Sequence, residues 1–375
     1  MEFKKPSVVF LIPDFRIGGA ERVTVSLANY LHINNYRVTF VVLKNHGAFL
    51  SDLSAGIRVI DLNVSRLRYI IAPLTKILNN TKPDVLFAVM WPLSSIAVFV
   101  RLVARLRVRI AVVDQISMAE EISRALKLPM RLYNFIAKVT YRLADAIIVP
   151  SSQMKEDIKT LIALSDAKLV HIPNPASIPS EQVKTQYTSP YQIELGVTDP
   201  SVKRILAIGT LKPQKNHKML IDAFHLGFKF DNVILVIIGD GDLREELQVQ
   251  INTLELQSSV FLPGSKININ PWLQHADLFV LSSDWEGLPT VLINALDYEL
   301  PIVSTDCKSG PSEILELGAF GKLIRPGDTV GLANAMKLCL KEGKKGDYRL
   351  SERAKEFSIE RVGPQYEAMI ARMMQ

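Results

Sequence analysis

Short apolar runs rich in Val, Ile and Leu recur along the chain, and segments of helical period separate them. In the first half they fall at 7–12, 37–43, 58–62, 84–89, 109–113, 146–149 and 168–172. In the second half they fall at 204–208, 232–238, 259–262, 277–281, 301–304 and 321–324. Strands alternating with helices imply βαβ crossovers and a parallel sheet. The runs are apolar almost throughout, as strands covered on both faces require. Between the two sets, 173–200 carries Pro173, Pro175, Pro179, Pro190 and Pro200 and keeps no period, which predicts a linker. The pattern therefore predicts an α/β protein with a doubly wound domain at 1–172, a linker at 173–200 and a second doubly wound domain at 201–355. A C-terminal helix at 356–375 follows, its apolar positions Phe357, Val362, Tyr366, Met369, Ile370 and Met373 recurring at helical spacing. Such sheets bind ligands outside the carboxyl ends of their strands, which directs attention to the loops just after them.

Composition narrows this picture without changing it. The 375 residues suit two domains, and 48% hydrophobic with 22% charged residues excludes a disordered or low-complexity chain. Cys307 and Cys339 have no partner motif, which excludes a zinc ribbon, a CxxC redox site or a disulfide scaffold and fits a reducing compartment. The apolar stretch at 8–13 is too short for the core of a signal peptide. The run at 85–100 contains Pro92 and falls short of the roughly 20 residues of a spanning helix, so it reads as a buried strand followed by a helix. The net charge of +6 is uneven: 1–180 holds 23 Lys+Arg against 13 Asp+Glu, and 181–375 holds 21 against 25. The basic half implies either a solvated face or an anionic partner such as a lipid head group, a pyrophosphate or a nucleic acid. For nucleic acid there is no recognition motif and no aromatic-basic interleaving.

Four loops carry candidate chemistry. Gly18-Gly19-Ala20-Glu21-Arg22 precedes a helix, and its two glycines let backbone N–H groups approach an anion; taken alone it is equally a plain turn. Gly209-Thr210-Leu211-Lys212-Pro213-Gln214-Lys215-Asn216-His217 places two lysines beside a helix N-terminus, where charge and dipole would act together on a phosphate. Gly239-Asp240-Gly241-Asp242 reads as a tight turn with Asp242 as N-cap rather than as a metal site, because no further acidic cluster supplies oxygen ligands. The stretch 282–295, SSDWEGLPTVLINA, hangs Glu286 at the carboxyl end of a strand, over the N–H groups of Gly287 and Leu288, with Pro289 in the first turn of a helix. His32, His46, His171, His217, His225 and His275 form no HxH or HxxxH pair, so metal ligation has no support. A GxSxG elbow and a GxxxxGK[ST] loop are also absent from the sequence.

The ordered set GGAERV, IGTLKPQKN, IIGDGDLREEL, ADLFVLSSDWEGLPTVLINAL and PIVSTDCKSGPSEIL resembles the GT-B-fold glycosyltransferases of family 4. These are retaining enzymes that use nucleotide sugars. The resemblance implies two Rossmann-like domains facing a cleft, with the nucleotide on the second and the acceptor on the first, and neither cofactor nor metal. It matches Gly18 and Gly19 to the glycine loop near the reacting centre and Lys215 to the lysine that neutralises the donor pyrophosphate. Glu286 matches the first acid of an E-x7-E motif that contacts the transferred sugar. Gly287, Leu288 and Pro289 match the turn that meets the distal phosphate, with Gly209, Lys212 and Asn216 also on the donor side. The sequence departs from the family pattern at Thr210, where Arg is usual, at Asn294, the second acid position, and at Asp114 and Gln115, where many relatives carry His.

What the resemblance implies is a cytoplasmic enzyme that moves a hexose or N-acetylhexosamine from a nucleoside diphosphate sugar to a glycan or lipid-linked acceptor in cell-surface polysaccharide or glycolipid synthesis. A sugar-nucleotide epimerase of the same architecture and a non-catalytic partner subunit are the alternatives. The basic half further predicts peripheral contact with an anionic membrane surface at the inner face. Its candidate residues are Arg66, Arg68, Lys76, Arg101, Arg105, Arg107 and Arg109, with Arg101 and Arg105 on one face of a helix at 92–105.

Overall fold

A computed structural model describes residues 6–115, 130–162, 168–229, 231–344 and 346–375. The chain divides into two compact units, Met1–Pro175 with Ile359–Gln375, and Ala176–Ser358. Every predicted strand forms. The first unit holds β1 (Ser7–Ile12), β2 (Arg37–Val42), β3 (Arg58–Asp61), β4 (Val85–Val89), β5 (Arg109–Val113), β6 (Ala146–Val149) and β7 (Leu169–His171). They pair in parallel in the order β3-β2-β1-β4-β5-β6-β7. The second holds β8 (Lys203–Ile208), β9 (Val233–Ile238), β10 (Val260–Phe261), β11 (Leu278–Leu281), β12 (Ile302–Thr305) and β13 (Lys322–Ile324). Its order, also parallel, is β10-β9-β8-β11-β12-β13.

The central strands of both sheets are covered on two faces, which is why they carry no polar side. All six residues of β1 are buried, as are all six of β9. Alternate residues of β1 enter different cores: Val8, Phe10 and Ile12 face one layer, Val9 and Leu11 the other. Phe10 stacks on Phe40 and Phe87 at centroid distances of 5.4 and 5.0 Å, which fixes the β2-β1-β4 register from inside. In each sheet the strand order turns back at one place, between β1 and β4 and between β8 and β11. Crevices at such switch points are where open α/β sheets hold ligands.

The stretch 173–200 does not behave as a linker. From Ala176 onward it is folded into the second unit, with short helices at Ser180–Lys184 and Pro190–Ile193. Tyr191 is fully buried edge-on to Trp272, and its hydroxyl donates to the Trp272 carbonyl at 3.1 Å. The crossover itself is tied down. The N–H groups of Ala176 and Ser177 donate to the Phe357 carbonyl at 2.9 and 3.2 Å. Asp297 accepts from Ser177 Oγ and from the Ile178 N–H, both at 2.7 Å.

The terminal helix, Ile359–Met374, belongs to the first unit. There Val362, Tyr366, Met369, Ile370 and Met373 complete the core beside the helix Gly19–Ile33. Gly363 permits the close approach, since a Cβ there would lie 2.5 Å from the Tyr30 ring. Among the described residues no helix is long and apolar enough to cross a membrane.

Candidate active site

The two motifs richest in polar residues, far apart in sequence, meet at the switch point of the second sheet. The loop after β8 runs into a 3-10 turn at Pro213–Lys215 and then the helix His217–Phe228. Asn216 takes a left-handed conformation (φ 44°), and its side chain caps the helix by accepting from the Met219 N–H at 3.2 Å. The loop after β11 carries Glu286 and opens the helix Thr290–Asp297.

Lys215 Nζ donates to Glu286 Oε1 at 2.5 Å. Both side chains are largely sheltered, at 16% and 7% exposure, so the pair is far less screened than a surface salt bridge. Ser283 Oγ donates to the same carboxylate oxygen at 2.6 Å. Gln214 Nε2 reaches Glu286 Oε2 at 3.4 Å and the Trp285 carbonyl at 2.7 Å. Asn216 Nδ2 donates to Asp284 Oδ1 at 2.8 Å, and Ser282 Oγ to the Lys215 carbonyl at 2.8 Å. The loops are thus stitched from both sides, and Glu286 is aimed rather than solvated.

Three glycines permit the close packing. The Lys215 stem lies over Gly209, where a Cβ would come within 3.2–3.3 Å of it. At Gly239 (φ +152°) a Cβ would lie 1.9 Å from the Gly209 carbonyl oxygen, so the Gly239–Asp242 turn packs directly on the lysine loop. At Gly310 (φ +89°) a Cβ would fall 2.5 Å from Pro289 Cδ and 2.6 Å from the Gly287 oxygen. The turn after β12 therefore braces Gly287, Leu288 and Pro289 from behind.

Leu288 is 4% exposed. The backbone N–H groups of Gly287 and Leu288 have no protein acceptor among the described residues. Buried N–H groups without partners are uncommon. Here they precede a helix N-terminus, next to a lysine, where an anion would satisfy them. His217 is buried against the backbone of Gly209 and Thr210. Burial, aided by the Lys215 charge, pushes its pKa down to about 4, so the ring is neutral at physiological pH. Burial also pushes the Cys307 thiol up, which leaves it inert as a nucleophile.

Other expectations land differently. Thr210 is exposed and Lys212 half-buried on the same loop. Asn294 is used for structure: its amide donates to the Ala176 carbonyl at 2.6 Å, holding the crossover rather than standing free for a ribose. Asp242 is not an N-cap, because the helix starts later, at Arg244–Thr253, with Leu243 at the cap position. Asp240 accepts from the Gly241 N–H at 2.9 Å and pairs with Arg244 at 3.7 Å. No group of three or more His, Cys, Asp or Glu residues able to hold a metal occurs among the described residues.

The Gly18–Gly19 turn lies at the switch point of the first unit. Gly18 is extended, and a Cβ there would lie 2.2 Å from Glu21 Oε2, so the turn carries its own buried carboxylate over the helix N-terminus. Asp114, just past β5, is fully buried and accepts from the Tyr141 hydroxyl. Burial pushes Asp114 up to about 7, against the lowering by that hydrogen bond. Gln115 accepts from Asn174 Nδ2 at 2.8 Å.

Sequence reasoning places Gln214, Ser283 and Asp284 within their motifs but gives them no role. No local signal separates a polar loop residue that aims a carboxylate from one that faces water. The contact between loops some 70 positions apart decides it.

Two family models match the chain. The one described as glycosyl transferases group 1 covers 197–357, and the one described as glycosyltransferase family 4 covers 17–178. A glycosyltransferase of Methanocaldococcus jannaschii is 38% identical over 192 residues, 50% of this chain and 47% of that one, so the match spans about half of that relative. The GalNAc-alpha-(1->4)-GalNAc-alpha-(1->3)-diNAcBac-PP-undecaprenol alpha-1,4-N-acetyl-D-galactosaminyltransferase of Campylobacter jejuni is 26% identical, with 97% of this chain and 98% of that one covered. Among solved structures, Anabaena HepE in complex with UDP and glucose superposes with a TM-score of 0.81 at 19% identity, over 98% of this chain and 100% of that one, a likeness of fold. With one model on each of the two sheet units and the strand orders as found, the chain belongs to the GT-B group 1 glycosyltransferases, enzymes that transfer sugars.

Proposed function

We propose that the protein is a retaining glycosyltransferase that moves a hexose or N-acetylhexosamine from a nucleoside diphosphate sugar to a hydroxyl of a lipid-linked glycan, on the cytoplasmic side of a membrane. The observation that carries this reading is the Lys215–Glu286 pair beside the unpaired N–H groups of Gly287 and Leu288. A cation and two amide donors at a helix N-terminus form a preorganised seat for a diphosphate. The Campylobacter relative described above, whose name gives an undecaprenol-diphosphate-linked glycan, supports the acceptor class.

The chemistry follows from the pair. On donor binding Lys215 exchanges Glu286 for a phosphate oxygen, and the released carboxylate, still held by Ser283 and Gln214, accepts from hydroxyls of the sugar. The bond from the anomeric carbon to the phosphate oxygen breaks, and the acceptor oxygen bonds to that carbon on the same face. The acceptor proton passes to the departing diphosphate. The protein stabilises the negative charge that grows on the leaving group, through Lys215 and the 287–288 amides. In this reading those groups do the work that a divalent cation does elsewhere, and no cofactor takes part.

The experiment is a mass-spectrometric screen of nucleoside diphosphate sugars against undecaprenyl-diphosphate glycans with the full chain. Expected is one donor class giving a product heavier by one hexosyl or N-acetylhexosaminyl unit, with the anomeric configuration retained. Release of free sugar or an epimerised donor, with no acceptor product, would overturn the reading.

A further inference from the structure

Two helices of the first unit, Leu93–Val103 and Met130–Leu143, lie side by side. Thr140 Oγ1 donates to Ser95 Oγ at 2.9 Å, and the inner faces share one core through Ala97, Val98, Ala137 and Tyr141. A surface helix ordinarily turns a polar face outward. These two do not. Phe99, Leu102 and Val103 are exposed on the first, and Phe135, Val139 and Leu143 on the second, with Val103 at 65% and Phe135 at 64%. On each helix the exposed residues are three or four apart and form one stripe. Adjacent apolar stripes on a soluble surface mark an interaction site.

The charge around them selects the partner. Neither 93–109 nor 130–143 contains an Asp or Glu. Arg105, Arg107 and Arg142 are exposed, and Lys138 is half-buried. The structure also revises which arginines are available. The first helix ends at Val103, and Arg105 lies beyond it in a left-handed conformation (φ 53°), so Arg101 and Arg105 do not share a helix face. Arg101 and Arg109 are both bound to Asp145.

We propose that this apolar ridge with its basic margin docks on an anionic lipid surface. The phenyl and branched side chains enter the boundary between head groups and acyl chains, and the guanidinium groups stay among the phosphates. A second copy of the chain fits this face poorly, since it would bring one basic margin against another. The proposal deepens the reading of a lipid-linked acceptor, but its test involves no sugar.

The full chain is sedimented with phosphatidylcholine vesicles with and without phosphatidylglycerol, at low and high salt. Binding is expected only with phosphatidylglycerol and is expected to weaken with salt. Phe99→Ser with Phe135→Ser should lower vesicle affinity by about tenfold or more, since two exposed phenyl groups lose their burial. Arg105→Glu with Arg107→Glu should abolish the preference for anionic vesicles. Phe135→Trp should bind as wild type and show a blue-shifted emission on vesicle addition, a direct reading of burial that does not depend on loss of function. Failure of the wild type to sediment, equal binding by the Phe99→Ser/Phe135→Ser variant, or an indole emission of the Phe135→Trp variant unmoved by vesicles would overturn the proposal. So would a dimer in sedimentation velocity that the phenylalanine variant splits, which would assign the ridge to a second copy. Each of these leaves the donor screen untouched.

Discussion

In the second unit the loops after β8 and β11 hold a cation, a carboxylate and amide donors locked into one network. In the first unit, the loops after β1 and β5 hold a different set: Asp14 bound by Arg16, Glu21 over Gly18, Asp114 under Tyr141, Gln115 against Asn174. The strand orders correspond, the switch points correspond, and the loop residues differ. A lysine beside unpaired amides suits an anion, whereas the buried acid Asp114, raised to about 7 by burial, suits a neutral hydroxyl partner such as that of Tyr141. Two copies of one scaffold differ in a handful of loop residues, and this is the level at which function resides on a shared fold.

The largest break in this contrast comes from Lys215→Ala. It removes the cation and leaves Glu286 buried without its partner. Turnover should fall roughly 10- to 150-fold, the equivalent of the ~1.5–3 kcal/mol of one charge-assisted hydrogen bond. Steady-state kinetics with the cognate donor check it, and wild-type rates would refute the assignment. Gly310→Ala tests the brace. A methyl group 2.5 Å from Pro289 and 2.6 Å from the Gly287 oxygen, at a φ of +89°, must push the 287–289 turn aside. The expected cost is ~1–3 kcal/mol in stability, with a raised KM for the donor; thermal melts and donor titrations measure both.

A third prediction uses pH to isolate Asp114 in the first unit. The fold raises Asp114 from its ordinary 3.8 to about 7, so it favours the protonated form. That contribution is complete below pH ~4 and is lost as pH rises to ~7. Asp297, raised to about 7 by burial, acts in the same sense, and His217, lowered to about 4, in the opposite one. The clean readout is therefore a difference. Relative to wild type, Asp114→Asn should be more stable at pH ~8 than at pH ~5, by on the order of 2–3 kcal/mol in urea unfolding. A pH-independent difference would mean Asp114 does not titrate as described. The smallest effect is expected at the second unit's aspartates. Asp240→Ala with Asp242→Ala loses an exposed hydrogen bond to the Gly241 N–H and an exposed pair with Arg244, the pair worth about 0–1 kcal/mol. Activity should stay within about twofold and be insensitive to chelator, and restoration by Mg²⁺ after chelation would return those residues to metal chemistry.

Most strands among the described residues are legible in the sequence because they are apolar runs sandwiched between helical layers, so their own residues declare their burial; the edge strands β3 and β13, with no buried residue, are the weakest of these signals. That Lys215 and Glu286 serve one site is carried in the sequence by the family resemblance, and the strand order found here, with β8 beside β11, is what brings them together. What the sequence hides is long-range. Tyr191 sits in a proline-rich stretch without period, yet it is fully buried because Trp272, far along the chain, supplies its wall. Asn294 looks like a ligand position, and only the fold shows the Ala176 carbonyl in front of it. Asp242 fails as a cap because the turn runs on to Leu243 before the helix begins. The apolar ridge reads in the sequence as a charge cluster, since exposure of Phe99 and Phe135 cannot be seen without knowing which helix faces are already covered.

The return of the last helix to the first unit has a consequence for biosynthesis. The core around Leu27, Leu31 and Phe87 is finished by Tyr366, Met369 and Ile370, which leave the ribosome after every residue of the second unit. At about 5–20 residues per second, that wait is on the order of ten seconds or more. Throughout it the nascent first unit carries an unsealed apolar groove beside Tyr30, open to chaperones and to self-association. A stop codon just before Ile359 would make the gap permanent. Such a truncation spares every residue of the Lys215–Glu286 network, yet it should yield insoluble protein, because the piece that closes the first unit is translated after the whole of the second.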